Sequence, residues 1–183
     1  MTIHALIQCS KKKSLDFSPE MTWSSKTTHK LWKSNWEKQL VSTEAEKLYS
    51  GRSIKREFEF ISQTSGVEGY IISAGAGLAK LNDKIPSYES TFSNGNGPHY
   101  SQWHQLPLGG LSKINPEEGD VIVSFAAPSS HRAIKAGANA VITFGVHGQV
   151  SRITTEIIKI LFEEILLKDV HVKSVGSRVD LIS

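Results

Sequence analysis

Cys9, Ser10, Lys11, Lys12 and Lys13 stand side by side in a chain of 183 residues that has no other cysteine. Neighbouring ammonium groups favour the thiolate, so the Cys9 thiol is expected to lose its proton more readily than usual. Lysines crowded together are in turn easier to deprotonate, which makes Lys12 a second candidate nucleophile. Ser10, Lys11 and Lys13 suit a phosphate. The competing reading is a buried cysteine that closes a strand beside a solvated basic loop.

A second group lies in residues 70–92. Tyr70-Ile71-Ile72 is a short apolar run, after which Ser73-Ala74-Gly75-Ala76-Gly77 replaces bulk with small residues. Such a run reads as a buried strand opening into a loop. Ser73 offers a hydroxyl at that edge, and Gly75 and Gly77 would let backbone amides approach an anion closely. A tight turn with no ligand is the alternative. The dinucleotide pattern G-x-G-x-x-G fails because position 80 is Lys. Pro86 fixes one φ angle and biases Ile85 towards extended backbone, so Lys84 to Tyr88 reads as a rigid return that holds Tyr88 and Glu89 over the same crevice.

The imidazoles of His131 and His147 titrate near neutral pH, which makes them candidates for acid–base work, with helix capping or plain exposure as the alternative. Ser129 and His131 stand at an expected helix start and Gly145 to Gly148 in an expected loop. His99 and His104 are five residues apart, a spacing that does not stack two ligands on one helix face, so this segment makes no metal site by itself. Asp83, Glu89 and Asp120 could still contribute to one. Trp32 and Trp36, at i and i+4, share a helix face that could stack on bases or pack against a sheet.

These residues need elements to bring them together. Ile3 to Gln8 reads as the first strand and Tyr70 to Ile72 as another. Asp120 to Phe125, Ala140 to Phe144 and Val170 to Val175 complete the set. Helices are expected from about Thr27 to Leu40, from Ser53 to Ser62 with an apolar stripe of Ile54, Phe58 and Ile61, from His131 to Ala136, and from Ser151 to Leu167. Residues 42–49 begin with capping types, and His99 to His104 reads as a short helix. The apolar face of the 151–167 helix suits packing or a subunit contact in a homo-oligomer. Alternating strands and helices predict one α/β domain over 1–183, a Rossmann-like three-layer domain with a mostly parallel sheet. Parallel strands end on one side, so Cys9 to Lys13, Ser73 to Gly77, Ser129 to Arg132 and Gly145 to Gly148 are expected to gather on one edge.

Composition sets the limits. The formal charge is only +3, but residues 1–60 hold 11 Lys and Arg against 7 Asp and Glu, so the remainder stands at −1. That bias suits a phosphate-bearing partner, and it equally suits a solvated basic surface. No run reaches the roughly 18 apolar residues that span a bilayer, and the start lacks a signal-peptide pattern. A single cysteine excludes an internal disulfide. The expectation is a cytoplasmic protein with no membrane partner and no cofactor.

Three stretches together carry a resemblance: Cys9-Ser10-Lys11-Lys12-Lys13, then Leu48-Tyr49-Ser50-Gly51 with a basic helix, then Ile72-Ser73-Ala74-x-x-Gly77-Leu78 leading to Ile85-Pro86-Ser87-Tyr88. In order and spacing they resemble a poorly characterised family of small bacterial and phage domains. Up to Phe92, about half the chain is covered. More distantly, Lys13-Ser14-Leu15-Asp16-Phe17 is similar to the start of the peroxide-stress protein family, and Cys9-Ser10-x-Lys12 to a loop of archaeosine synthase. The resemblance implies a Rossmann-like domain connected with nucleobase chemistry, with deazaguanine modification of DNA or tRNA, and with mobile genetic elements. It places Tyr49, Gly51 and Tyr88 among the binding residues. This chain departs from the pattern at Ser50, where Thr is usual, and at Gly75, where a Lys is common; the second change removes a cation from the crevice. Two functions follow as expectations. One is an enzyme that hydrolyses or transfers at a nucleobase or N-glycosidic bond, in DNA or tRNA modification or phage defence. The other is a module that senses a nucleotide or modified base within a larger antiviral or modification complex.

Overall fold

The computed structural model describes residues 2–92, 95–115, 121–124, 126, 130 and 142–143. Strand β1 (Ile3–Gln8) is apolar at Ile3, Ala5, Leu6 and Ile7 and is buried on both faces, as a central strand must be. Its neighbours are β3 (Val67–Ser73) on one side and β6 (Val121–Ser124) on the other, both parallel to it. Beyond β3 lies β4 (Gly77–Lys80), which runs antiparallel, and beyond β6 lies β7 (Ile142–Thr143), so the sheet order is β4-β3-β1-β6-β7. A separate two-stranded antiparallel sheet pairs β2 (Thr43–Glu44) with β5 (Lys84–Ile85).

Three α-helices stand among the described residues. Helix α1 (His29–Glu37) starts where the Thr28 hydroxyl accepts from the Leu31 amide at 3.2 Å. It ends earlier than Leu40 because Gln39 folds back, its Nε2 donating to the Asn35 carbonyl at 3.0 Å. Helix α2 (Ala45–Leu48) is one turn long: the capping-type residues before it went into β2 instead. Helix α3 (Arg52–Gln63) buries Ile54, Phe58 and Ile61 and packs on β3 and β1.

The expected Rossmann-like three-layer domain with a mostly parallel sheet is therefore corrected. Among the described residues the chain builds a mixed sheet, a second small antiparallel sheet and few helices. The cause lies at the glycine loop. A three-layer α/β unit needs a helix after the strand, but residues 74–76 turn β3 straight back as β4, with Ser73 opposite Gly77. Gly77 takes φ +97°, which a side chain resists, and a Cβ there would run into the Gly109 carbonyl. The segment that follows lies along β4: Leu78 donates to the Gly109 carbonyl and Leu108 to the Ala76 carbonyl, each at 2.8 Å. These bonds cover part of an edge that would otherwise be open to pairing.

The stretch 99–104 forms a 3₁₀ helix, Tyr100–Gln105, rather than an α-helix. The expected helices from His131 and from Ser151, the strand from Val170, and the loops at Ser129 and Gly145 lie outside the described residues. No helix among the described residues is long and apolar enough to cross a membrane.

Candidate functional site

Because β1 and β3 are parallel neighbours, the residues just past Gln8 and Ile72 meet at one edge. The Cys9 amide donates to the Ile72 carbonyl at 3.1 Å, which seats the cysteine beside Ser73. The loop after Cys9 is fastened to the segment leading into α3: Ser50 donates to the Lys12 carbonyl at 3.0 Å, the Gly51 amide to Ser10 Oγ at 3.2 Å, and Lys13 bridges to Tyr49. A Cβ on Gly51 would collide with Ser10, so this close approach needs glycine. Lys11 and Lys12 are exposed next to the start of α3, whose first amides receive no side-chain cap. Exposed Arg52 adds another cation at this start. Helix N-termini favour anions, so the loop and the helix start attract the same kind of charge.

Lys13 alone of the three lysines turns inward. Its ammonium sits 4.6 Å from the centre of the Tyr88 ring and donates to the Lys11 carbonyl at 3.4 Å. Burial lowers its pKa, while Cys9 and Glu89 act to keep it charged. The thiol responds in the opposite sense to the sequence expectation. Burial pushes Cys9 up, and the Lys13 ammonium and the Ala74 amide pull it only part of the way back. In its resting state Cys9 is thus a neutral thiol beside a lysine that gives up its proton more easily than usual.

Ser73, Tyr88 and Tyr49 are buried and joined through their hydroxyls. Ser73 Oγ accepts the amides of Gly75 (3.2 Å) and Ala76 (2.8 Å) and bonds to the Tyr88 hydroxyl, which lies 2.5 Å from that of Tyr49. Each of the three hydroxyls can donate or accept, so the chain can satisfy all of them. Burial holds both phenols well above their ordinary range. The glycine turn directs these two amides inward, onto Ser73. Gly75 has no room for a Cβ because the Tyr88 ring fills that space. Two indoles complete the frame: Trp32 Nε1 donates to the Gly75 carbonyl at 2.7 Å and Trp103 Nε1 to the Ser73 carbonyl at 2.9 Å.

The structure therefore brings together Cys9, Lys13, Ser73, Gly75, Tyr49 and Tyr88, with Ser10, Lys11, Lys12 and Gly51 in the adjoining loop. Gly77 stands across the hairpin against Gly109. His147, Ser129 and His131 lie outside the described residues. Asp83 is engaged elsewhere, with Lys113 and the Lys80 amide, and the described residues hold no cluster of His, Cys, Asp and Glu that could bind a metal. Sequence reasoning missed the tie from Trp103 to Ser73. It joins residues thirty apart in the chain, and no local spacing signals it. Comparison with protein-family models, with curated proteins and with solved structures gave no match to this chain.

Proposed function

We propose that the chain is an enzyme acting on a nucleotide or on a base in nucleic acid, by hydrolysis or transfer at the nucleobase or its N-glycosidic bond. The observation that carries this reading is the pairing of Cys9 with Lys13 at the common carboxyl edge of β1 and β3, where burial opposes charge on both. A neutral thiol beside a lysine of lowered pKa can pass its proton to that lysine when a ligand arrives. The lowered pKa gives Lys13 a share of neutral amine, and in that form it accepts the thiol proton as Cys9 attacks an electron-poor carbon. It returns the proton to the departing nitrogen as the old bond breaks, and water or an acceptor nucleophile then takes the carbon from Cys9 Sγ, which leaves as a thiolate and regains a proton. Lys11, Lys12 and Arg52, at the start of α3, supply the phosphate contacts. The motif order shared with the small bacterial and phage domains points the same way.

One observation favours the second reading, a sensing module without turnover. Ser73, Tyr49 and Tyr88 bond to one another, and the thiol rests protonated. Two substitutions separate the readings. In the enzyme, Cys9→Ala abolishes turnover and keeps nucleotide binding, while Lys13→Ala lowers turnover by roughly 100-fold or more. Retained binding with no product from the native protein supports the sensor.

A further inference from the structure

Trp36 is the tryptophan left partly exposed. Trp23, Trp32 and Trp103 are buried, and the last two hold the 73–75 turn by their indole N–H groups. Trp36, one turn after Trp32 on α1, packs against the Tyr88 ring at 5.8 Å between centres, tilted by 40°. The same ring carries the Lys13 ammonium at 4.6 Å. A partly exposed indole and a cation of the basic loop thus stand within 6 Å of one side chain.

The turn that bears Trp36 is also fixed in place. Asn35 Nδ2 donates to the Glu20 carbonyl at 2.9 Å, and Gln39 is tied both to the Asn35 carbonyl and to Ser18 Oγ, at 3.0 and 3.2 Å. A rigid indole with two side-chain torsions loses little entropy when something stacks on it. Any base has a π-face to offer, whereas a sugar phosphate or inorganic phosphate has none.

We propose that Trp36 is the stacking surface for the base of a nucleoside monophosphate whose phosphate lies on the Lys11–Lys13 loop, whose Lys13 ammonium shares the Tyr88 ring with Trp36. This rests on the nucleotide reading above and names which end of the ligand goes where. Binding of AMP, GMP and ribose 5-phosphate to the full chain tests it, followed by intrinsic fluorescence and calorimetry. The native protein should bind the better of the two nucleotides roughly tenfold or more tightly than ribose 5-phosphate. Trp36→Leu should erase that difference and leave ribose 5-phosphate binding as it was. Trp36→Phe, which keeps a ring and the packing on Tyr88, should retain most of the preference and lose the nucleotide-induced quenching. An unchanged preference in Trp36→Leu, or unchanged quenching in Trp36→Phe, overturns the assignment and leaves the nucleotide reading standing. Equal native affinity for the three ligands overturns the stacking alone. A native protein that binds none of them ends both.

Discussion

Tyr88 serves two hydroxyl neighbours with one hydroxyl of its own. Removing it by Tyr88→Phe leaves the hydroxyls of Ser73 and Tyr49 without that partner in a buried setting, at a cost of about 1–3 kcal/mol. Tyr49→Phe, at the end of the chain of hydroxyls, should cost less; urea denaturation of the two variants checks the order. Cys9 gives a second prediction, about pH. Burial raises the thiol pKa and Lys13 lowers it, so alkylation by iodoacetamide should be slow at neutral pH and increase only above the ordinary thiol range. Lys13→Ala takes away the cation that favours the thiolate, and the profile should move to still higher pH. A native inflection below about 8.5 would contradict the burial argument. The sequence put the thiol among lysines and so predicted a lowered pKa. The cluster was legible, but the sign was not, because burial depends on Tyr49, Ser73 and Tyr88 arriving from elsewhere in the chain.

At the scale of elements, the strand from Ile3 to Gln8 was readable to the residue, since its residues are mostly apolar on both faces, as a central parallel strand requires. Helix α3 was readable within a residue or so at each end, for its apolar stripe repeats at helical spacing. The glycine turn was read correctly as the end of a strand, but its small residues accommodate Tyr88 and the Gly109 segment, partners that no local pattern names. Helix α3 carries a prediction of its own. Glu57 falls three residues after Ile54 and four before Ile61, on the flank of the buried stripe, and burial pushes its pKa up to about 7. A carboxyl with a raised folded-state pKa does not affect stability while it is protonated in both states. As pH rises from the unfolded value near 4.5 through 7, the unfolded chain ionises first and stability is lost. Glu57→Gln should therefore raise the melting temperature at pH 8 and leave it unchanged at pH 4. An equal shift at both pH values would place the cause in packing rather than charge.

For the whole molecule, the parallel run of β1, β3 and β6 aligns their carboxyl ends on one edge, and the hairpin to β4 and the return through Pro86 close over the β3 end. Lys11, Lys12, Lys13 and Arg52 stand there too, in the loop after β1 and at the start of α3. The layered α/β architecture expected from the alternation of elements did not follow: after β3 a three-residue turn makes a hairpin with β4 where the expectation had a loop. That choice depends on whether Tyr88 and Trp103 can pack on the turn, which the turn's own residues do not encode. The central claim is that the edge holding Cys9 and Lys13 changes a nucleotide or a base chemically. Its most direct test is mass spectrometry of products after incubating the native protein, and Cys9→Ala in parallel, with a nucleotide pool, with DNA and with tRNA. A released base or a base altered in mass, formed by the native protein and absent with Cys9→Ala, is the result predicted. An identical product from both proteins, or none from the native protein in any pool, would contradict it.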